Sequence, residues 1–304
     1  MNAEDQGRSR AEAFRKEHRL GHVPLPDLVS LIELTQDIDV AVLAAEPDEH
    51  GMTVRDPIRD VVMVAVATTC NPVRQRSTLA HELGHVLFAD FAAAKAGGWS
   101  DRKPEEIRAD AFARHLLVPI PGIEAVLAER TSNKAIGDSK RGTKQISLPE
   151  LSMIVQRFKA SPSLVAIQLY NGGWIGATQK KDWMTLSTPT LASRFGWSDL
   201  YHGWQQESET RRAPQRLLSR AIQGYVANVV SLAAVARLRD LPVEQVQAEF
   251  ELAGIVPDPI EPIGALAGTA DMRRPDTDFS DLDALDGVPA DPWVSGRDRK
   301  APQG

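Results

Sequence analysis

His81-Glu82-Leu83-Gly84-His85 lies inside an apolar run, with Leu79-Ala80 before it and Val86-Leu87-Phe88 after it. Nothing else in the chain constrains the fold as tightly. Asn71-Pro72 supplies a helix start, with Asn as N-cap and Pro at the first helical position. The spacing therefore predicts a helix running to about Asp90. At 100° per residue His81 and His85 fall about 40° apart, one turn above each other on one face. Two imidazoles so placed can share one tetrahedral zinc, with Glu82 beside them to hold a water and take its proton. A buried helix carrying these groups without a metal would desolvate them with no compensation.

Such a site needs a third protein ligand. A second helix is predicted from Pro104 to Leu117, stopped by Pro119 and Pro121. Glu106 and Asp110 stand four residues apart on one of its faces. Glu106 can complete a His/His/Glu set. Asp110 is placed to hydrogen-bond the far nitrogen of a ligating histidine, which fixes the tautomer and raises basicity. Glu105 is the rival ligand, about 100° from Glu106 and about 140° from Asp110 around the helix. The same donor types also accept Mn2+ or Co2+. His115, nine positions past Glu106, falls roughly on the opposite face and reads as a packing or surface residue. His50 and His202 are assigned no role.

The elements around these helices predict an α+β fold. A charged arm occupies residues 1–24 and has little to bury. Residues 25–130 hold a short helix (Leu25 to Leu34), three strand-like runs (Asp39–Ala44, Met52–Arg55, Asp60–Thr69) and the two helices above. Val61 to Val66 is almost wholly apolar, so that strand is expected to be covered on both faces. Residues 131–186 begin with a basic loop, Ser132–Lys144. A helix follows from the capping box Ser147-Leu148-Pro149-Glu150, and another from Ser161-Pro162. This pair has helix-turn-helix spacing, yet its second helix offers phosphates no Lys or Arg, so it is expected to pack or dock. Residues 187–256 read as helical and include one long amphipathic segment, Pro214–Leu238. Residues 257–304 hold seven of the twenty prolines and are expected to be disordered.

Composition excludes other classes. That tail has ten Asp/Glu against five Lys/Arg and so carries five of the six net negative charges. Direct binding to nucleic acid, which needs a cationic surplus, is not expected. The one cysteine, Cys70, cannot form an intramolecular disulfide; it is read as a small buried residue in a reducing compartment. The N-terminus has no apolar segment resembling a secretory signal, and no apolar run reaches the ~20 residues of a membrane span. The protein is therefore expected to be cytoplasmic, with no membrane partner.

Two runs together resemble the ImmA/IrrE-type metallopeptidases. One is Arg74-Gln75-Arg76-Ser77-Thr78-Leu79-Ala80-His81-Glu82-Leu83-Gly84-His85-Val86-Leu87. The other is Glu106-x-x-Ala109-Asp110-x-Phe112-Ala113-x-x-Leu116-Leu117-x-Pro119. Ser77 stands where the family usually has an aromatic residue. The resemblance covers Leu25 to Pro121 and extends to the helix pair at 147–171. It implies a zincin-like fold with His81, His85 and Glu106 as zinc ligands and Glu82 as general base. It also implies an endopeptidase acting on a protein substrate, a helix-turn-helix repressor of stress or mobile-element genes. In zincins the substrate often lies antiparallel along an edge strand, and Met52–Arg55 is the candidate. The competing reading is a metal-stabilised regulator or antitoxin-like protein that binds its partner without cutting it. The intact Glu82 argues against it.

Overall fold

The computed structural model describes residues 1–45, 50–90, 103–134 and 146–259. The expected disordered tail from 260 onward, and the basic loop from 135 to 144, lie outside the described residues. The chain begins with α1 (Ala3–Glu17) and α2 (Leu28–Gln36). Three strands follow: β1 (Asp39–Leu43), β2 (Gly51–Asp56) and β3 (Val61–Ala67). Next come α3 (Pro72–Phe88), α4 (Pro104–Leu117), α5 (Ile120–Lys134), α6 (Leu148–Phe158) and α7 (Pro162–Asn171). The remainder is helical: α8 (Ala177–Trp183), α9 (Thr188–Arg194), α10 (Ser198–Glu209), α11 (Gln215–Val226), α12 (Leu232–Arg239) and α13 (Val243–Ala253). This is a mixed α+β fold with a small sheet.

The sheet has the order β1-β3-β2. β3 pairs in parallel with β1, Val40 opposite Val64, and antiparallel with β2, Thr53 also opposite Val64. β2 is therefore an edge strand. Val64 and Val66 are buried, but Val61, Met63, Ala65 and Ala67 on the other face are not. The expectation that β3 is covered on both faces is corrected: an antiparallel partner at the edge lets one face stay half open.

The N-terminal segment has more to bury than its charge implies. Gly7, Ala11 and Phe14 recur at helical spacing and are buried, while the charges occupy the other faces of α1. This stripe packs on α4, where a Cβ at Gly7 would overlap the Arg108 carbonyl oxygen and stand 2.6 Å from Ala111 Cβ. Arg15 then joins the layers, donating to the carbonyls of Leu116 (2.9 Å), Gly21 (2.9 Å) and Val23 (3.1 Å).

One apolar core runs through Phe14, Ile32, Leu83, Phe112, Leu151, Leu169 and Trp204, crossing the divisions expected near residues 24, 130 and 186. α6 and α7 contribute Leu151, Ile154, Val165 and Leu169 to it, in keeping with a packing role. Residues 104–129 form a stretch long and apolar enough to cross a membrane, which the sequence reading missed; most of it is buried inside the protein. A smaller core, around Val235, Ala236, Val246 and Phe250, belongs to α11–α13. The long amphipathic segment read as helical over Pro214–Leu238 is divided between two helices, α11 and α12. Asn228 takes φ 59°, and Ser231 caps α12 by accepting from the Ala234 amide.

Cys70 is exposed, which corrects its expected burial. It follows the end of β3 and precedes the α3 N-cap, on a connection held from outside by Gln205, whose Nε2 donates to the Cys70 carbonyl at 2.9 Å.

Candidate metal centre

α3 starts as its sequence dictates: Asn71 accepts from the Arg74 amide, and Pro72 occupies the first turn. Its buried stripe includes Leu79, Ala80, Leu83, Gly84 and His85. α4 crosses close by, because a Cβ at Gly84 would stand only 3.1 Å from Ala109 Cα and 3.3 Å from the Phe112 ring. The glycine inside the His-Glu-x-x-His run thus lets α4 approach near enough to present acidic side chains to the histidines. Asp90, two residues past α3, clamps the pair by accepting from both ends of the Arg108 guanidinium, Nε at 2.8 Å.

Four donor atoms converge. His81 Nε2 and His85 Nε2 are 2.9 Å apart. The Glu106 carboxylate straddles them, Oε2 3.3 Å from His81 Nε2 and Oε1 3.5 Å from His85 Nε2. Ligand atoms of all three residues lie within 4.8 Å of one another. Glu105 takes no part in this cluster, so the structure separates it from its rival Glu106. Asp110 reaches the opposite nitrogen, Oδ1 3.0 Å from His81 Nδ1. With the proton held at Nδ1 by that carboxylate, the Nε2 lone pair faces the cluster.

Charge and burial sort the two imidazoles. Burial disfavours the imidazolium of His81, but the Asp110 hydrogen bond and the Asp110, Glu106 and Glu82 charges outweigh it and lift the pKa above the ordinary value. His85 is pushed the other way, first by burial and then by the His81 charge. It is therefore kept neutral, the form that ligates. Two imidazole nitrogens and two carboxylate oxygens held this closely are reconciled only by a shared proton or a cation. The donor set fits a divalent ion of zinc type.

Glu82 lies beside the cluster but outside it. Its Oε2 accepts from Thr53 Oγ1 at 2.7 Å, linking α3 to the edge strand β2. An open cleft of about 410 Å³ is lined by His50, Gly51, Ser77, Thr78, His81, Glu82 and Asp110. Sequence reasoning missed Thr53, the Asp90–Arg108 clamp and the position of His50, whose ring nitrogen contacts Arg74 at the cleft. All three depend on contacts between residues 18 or more apart, with no local spacing to reveal them. His115 is buried on another part of α4, where its Nδ1 meets Gln168 Nε2 at 3.3 Å.

Residues 37–170 match the family model of the IrrE N-terminal-like domain, a peptidase family. This part of the chain belongs to the ImmA/IrrE family. The matched span runs from just before β1 to the end of α7 and contains every residue of the cluster. Membership in this metallopeptidase family implies a metal ion, and the His81/His85/Glu106 convergence is where the ImmA/IrrE domain of this protein can hold it. α1, α2 and the helices from α8 onward lie outside the match. The curated proteins contain no match to the chain.

Proposed function

We propose that the protein is a zinc-dependent endopeptidase of the cytoplasm whose substrate is a helix-turn-helix transcriptional repressor. The observation that carries the reading is the convergence of His81, His85 and Glu106 with an uncoordinated carboxylate, Glu82, beside them. A divalent cation held by His81, His85 and Glu106 would supply carbonyl polarisation and a more acidic water. Glu82 is placed to take a proton from an attacking water as its oxygen bonds to the scissile carbonyl carbon, and to give that proton to the amine nitrogen as the C–N bond breaks. Thr53 keeps the Glu82 carboxylate turned toward the cleft through its 2.7 Å hydrogen bond. Asp110 holds His81 in the tautomer that leaves Nε2 free to ligate.

β2 provides the place for a substrate strand. It is the edge of the sheet on the Glu82 side, and among the described residues no strand pairs with its outer side. A peptide added there would be held by main-chain hydrogen bonds, with the scissile bond carried past Glu82. The repressor as substrate rests on the family resemblance.

The test is a search for new N-termini, by mass spectrometry, in a lysate of cells lacking the protein. Wild type or Glu82→Gln protein is added. Cleavage within a helix-turn-helix repressor, by wild type alone, is the expected result. A repressor recovered intact and bound to wild type would replace this reading with the binding-only one.

A further inference from the structure

A second cavity among the described residues lies away from the metal centre. It has a volume of about 670 Å³ and is walled by α1, the residues that follow it, and the junction of α4 with α5. Its charge is unlike that of the chain, whose net value is −6. Arg8, Arg15, Lys16 and Arg19 line it, against one carboxylate, Glu12. Glu12 is already occupied, accepting from Arg8 Nε at 2.8 Å. Among the described residues, Arg15, Lys16 and Arg19 have no carboxylate at ion-pair distance, so three positive charges face one cavity uncompensated.

A buried donor adds direction to this field. His115 lines the same cavity and is 6% exposed. Gln168 Nε2 donates to the Val118 carbonyl at 2.8 Å, which fixes the amide, and its second proton faces His115 Nδ1 at 3.3 Å. His115 Nδ1 therefore accepts and the ring proton sits on Nε2. That leaves an N–H as the group His115 can offer to a ligand. Pro119, Ile120 and Pro121 make part of the lining apolar.

We propose that this cavity binds a phosphate ester of nucleotide size. The anionic groups would lie among Arg8, Lys16 and Arg19 with a hydrogen bond from His115, and the apolar moiety would lie against the 119–121 turn. Arg15, held by three carbonyls, contributes charge from a fixed position. The reading does not depend on peptidase activity, because none of these residues belongs to the metal cluster.

The experiment is calorimetric titration of the full-length protein with ATP and with inorganic tripolyphosphate, carried out on a His81→Ala background so that chelation of a bound metal cannot mimic binding. ATP is expected to bind more tightly than tripolyphosphate. Both should weaken at least tenfold in Lys16→Glu/Arg19→Glu, whose side chains are exposed, with an unfolding midpoint that shows the variant is folded. Lys180→Glu/Lys181→Glu, a charge reversal on α8, should leave both affinities unchanged. No heat at millimolar ligand, equal weakening by the two double variants, or equal affinity for ATP and tripolyphosphate would overturn the proposal. So would binding of duplex DNA but not ATP.

Discussion

Thr53 and Glu82 are joined by a 2.7 Å hydrogen bond between residues 29 apart in sequence, one at the sheet edge and one on the metal-binding helix. The bond fixes a carboxylate that would otherwise rotate freely at the cleft. Thr53→Val keeps the β-branched shape and removes the donor. We expect turnover to fall about tenfold, the equivalent of roughly 1.4 kcal/mol in the barrier, with metal content unchanged. Single-turnover cleavage beside elemental analysis checks both halves.

Glu82→Gln preserves size and hydrogen bonding but cannot accept a proton. Turnover should drop by at least ~10²-fold while metal content and unfolding midpoint stay at wild-type values. A variant that cleaved at the wild-type rate would remove Glu82 from the general-base role.

Glu106→Ala should lose the metal rather than only the rate. About one zinc per wild-type chain, and far less in the variant after the same dialysis, is expected from elemental mass spectrometry. Glu105→Ala is the control and should retain the ion, since Glu105 lies outside the cluster.

Gly7→Ala tests the α1–α4 contact. Alanine in a helix normally gains about 1 kcal/mol over glycine. Here the added methyl meets the Arg108 carbonyl and Ala111 Cβ, so a loss of about 1–3 kcal/mol in urea denaturation is expected instead. A stabilised variant would mean that α1 can slide on α4 without penalty.

Acid should weaken the fold through His115. Its pKa is lowered to about 4, chiefly by burial and then by Arg114 and Arg8, with Glu4 and Glu12 acting in the opposite direction. In the unfolded chain the imidazole titrates near 6.5. The unfolded state binds the proton more readily, so this contribution is complete above about pH 6.5 and is lost as pH falls toward 4. The loss amounts to up to about 3 kcal/mol. Urea denaturation at pH 7 and pH 4.5 should show a shallower acid loss for His115→Gln than for wild type. Parallel losses in the two proteins would assign the effect to other groups.

What the sequence made legible was whatever short spacing encodes. The i, i+4 pairs His81/His85 and Glu106/Asp110 each fix a helix face without reference to the rest of the chain. The boundaries of α4 and α6 follow from Pro104 and from the Ser147/Glu150 box. The exposure of Cys70 was not legible, because it depends on how α10 meets the strand-to-helix connection through Gln205. The break after α11 had its signals, Asn228 and Ser231, but Val229 and Val230 between them continued the apolar pattern and concealed it. Phe14 was passed over in a segment whose charges dominate the composition, although a stripe of only three small or apolar positions suffices to dock a helix.

A sheet of three strands has two borders, and here they are not equivalent. Val42 on β1 exchanges both main-chain hydrogen bonds with Arg212, at 2.9 and 3.0 Å, so a residue 170 positions downstream plugs that border. That bridge occupies the β1 border at Val42, whereas among the described residues no strand pairs with the outer side of β2. The segment that makes this bridge lies outside the peptidase-family match. Among the described residues, the border left unpaired is that of β2, on the side of Glu82.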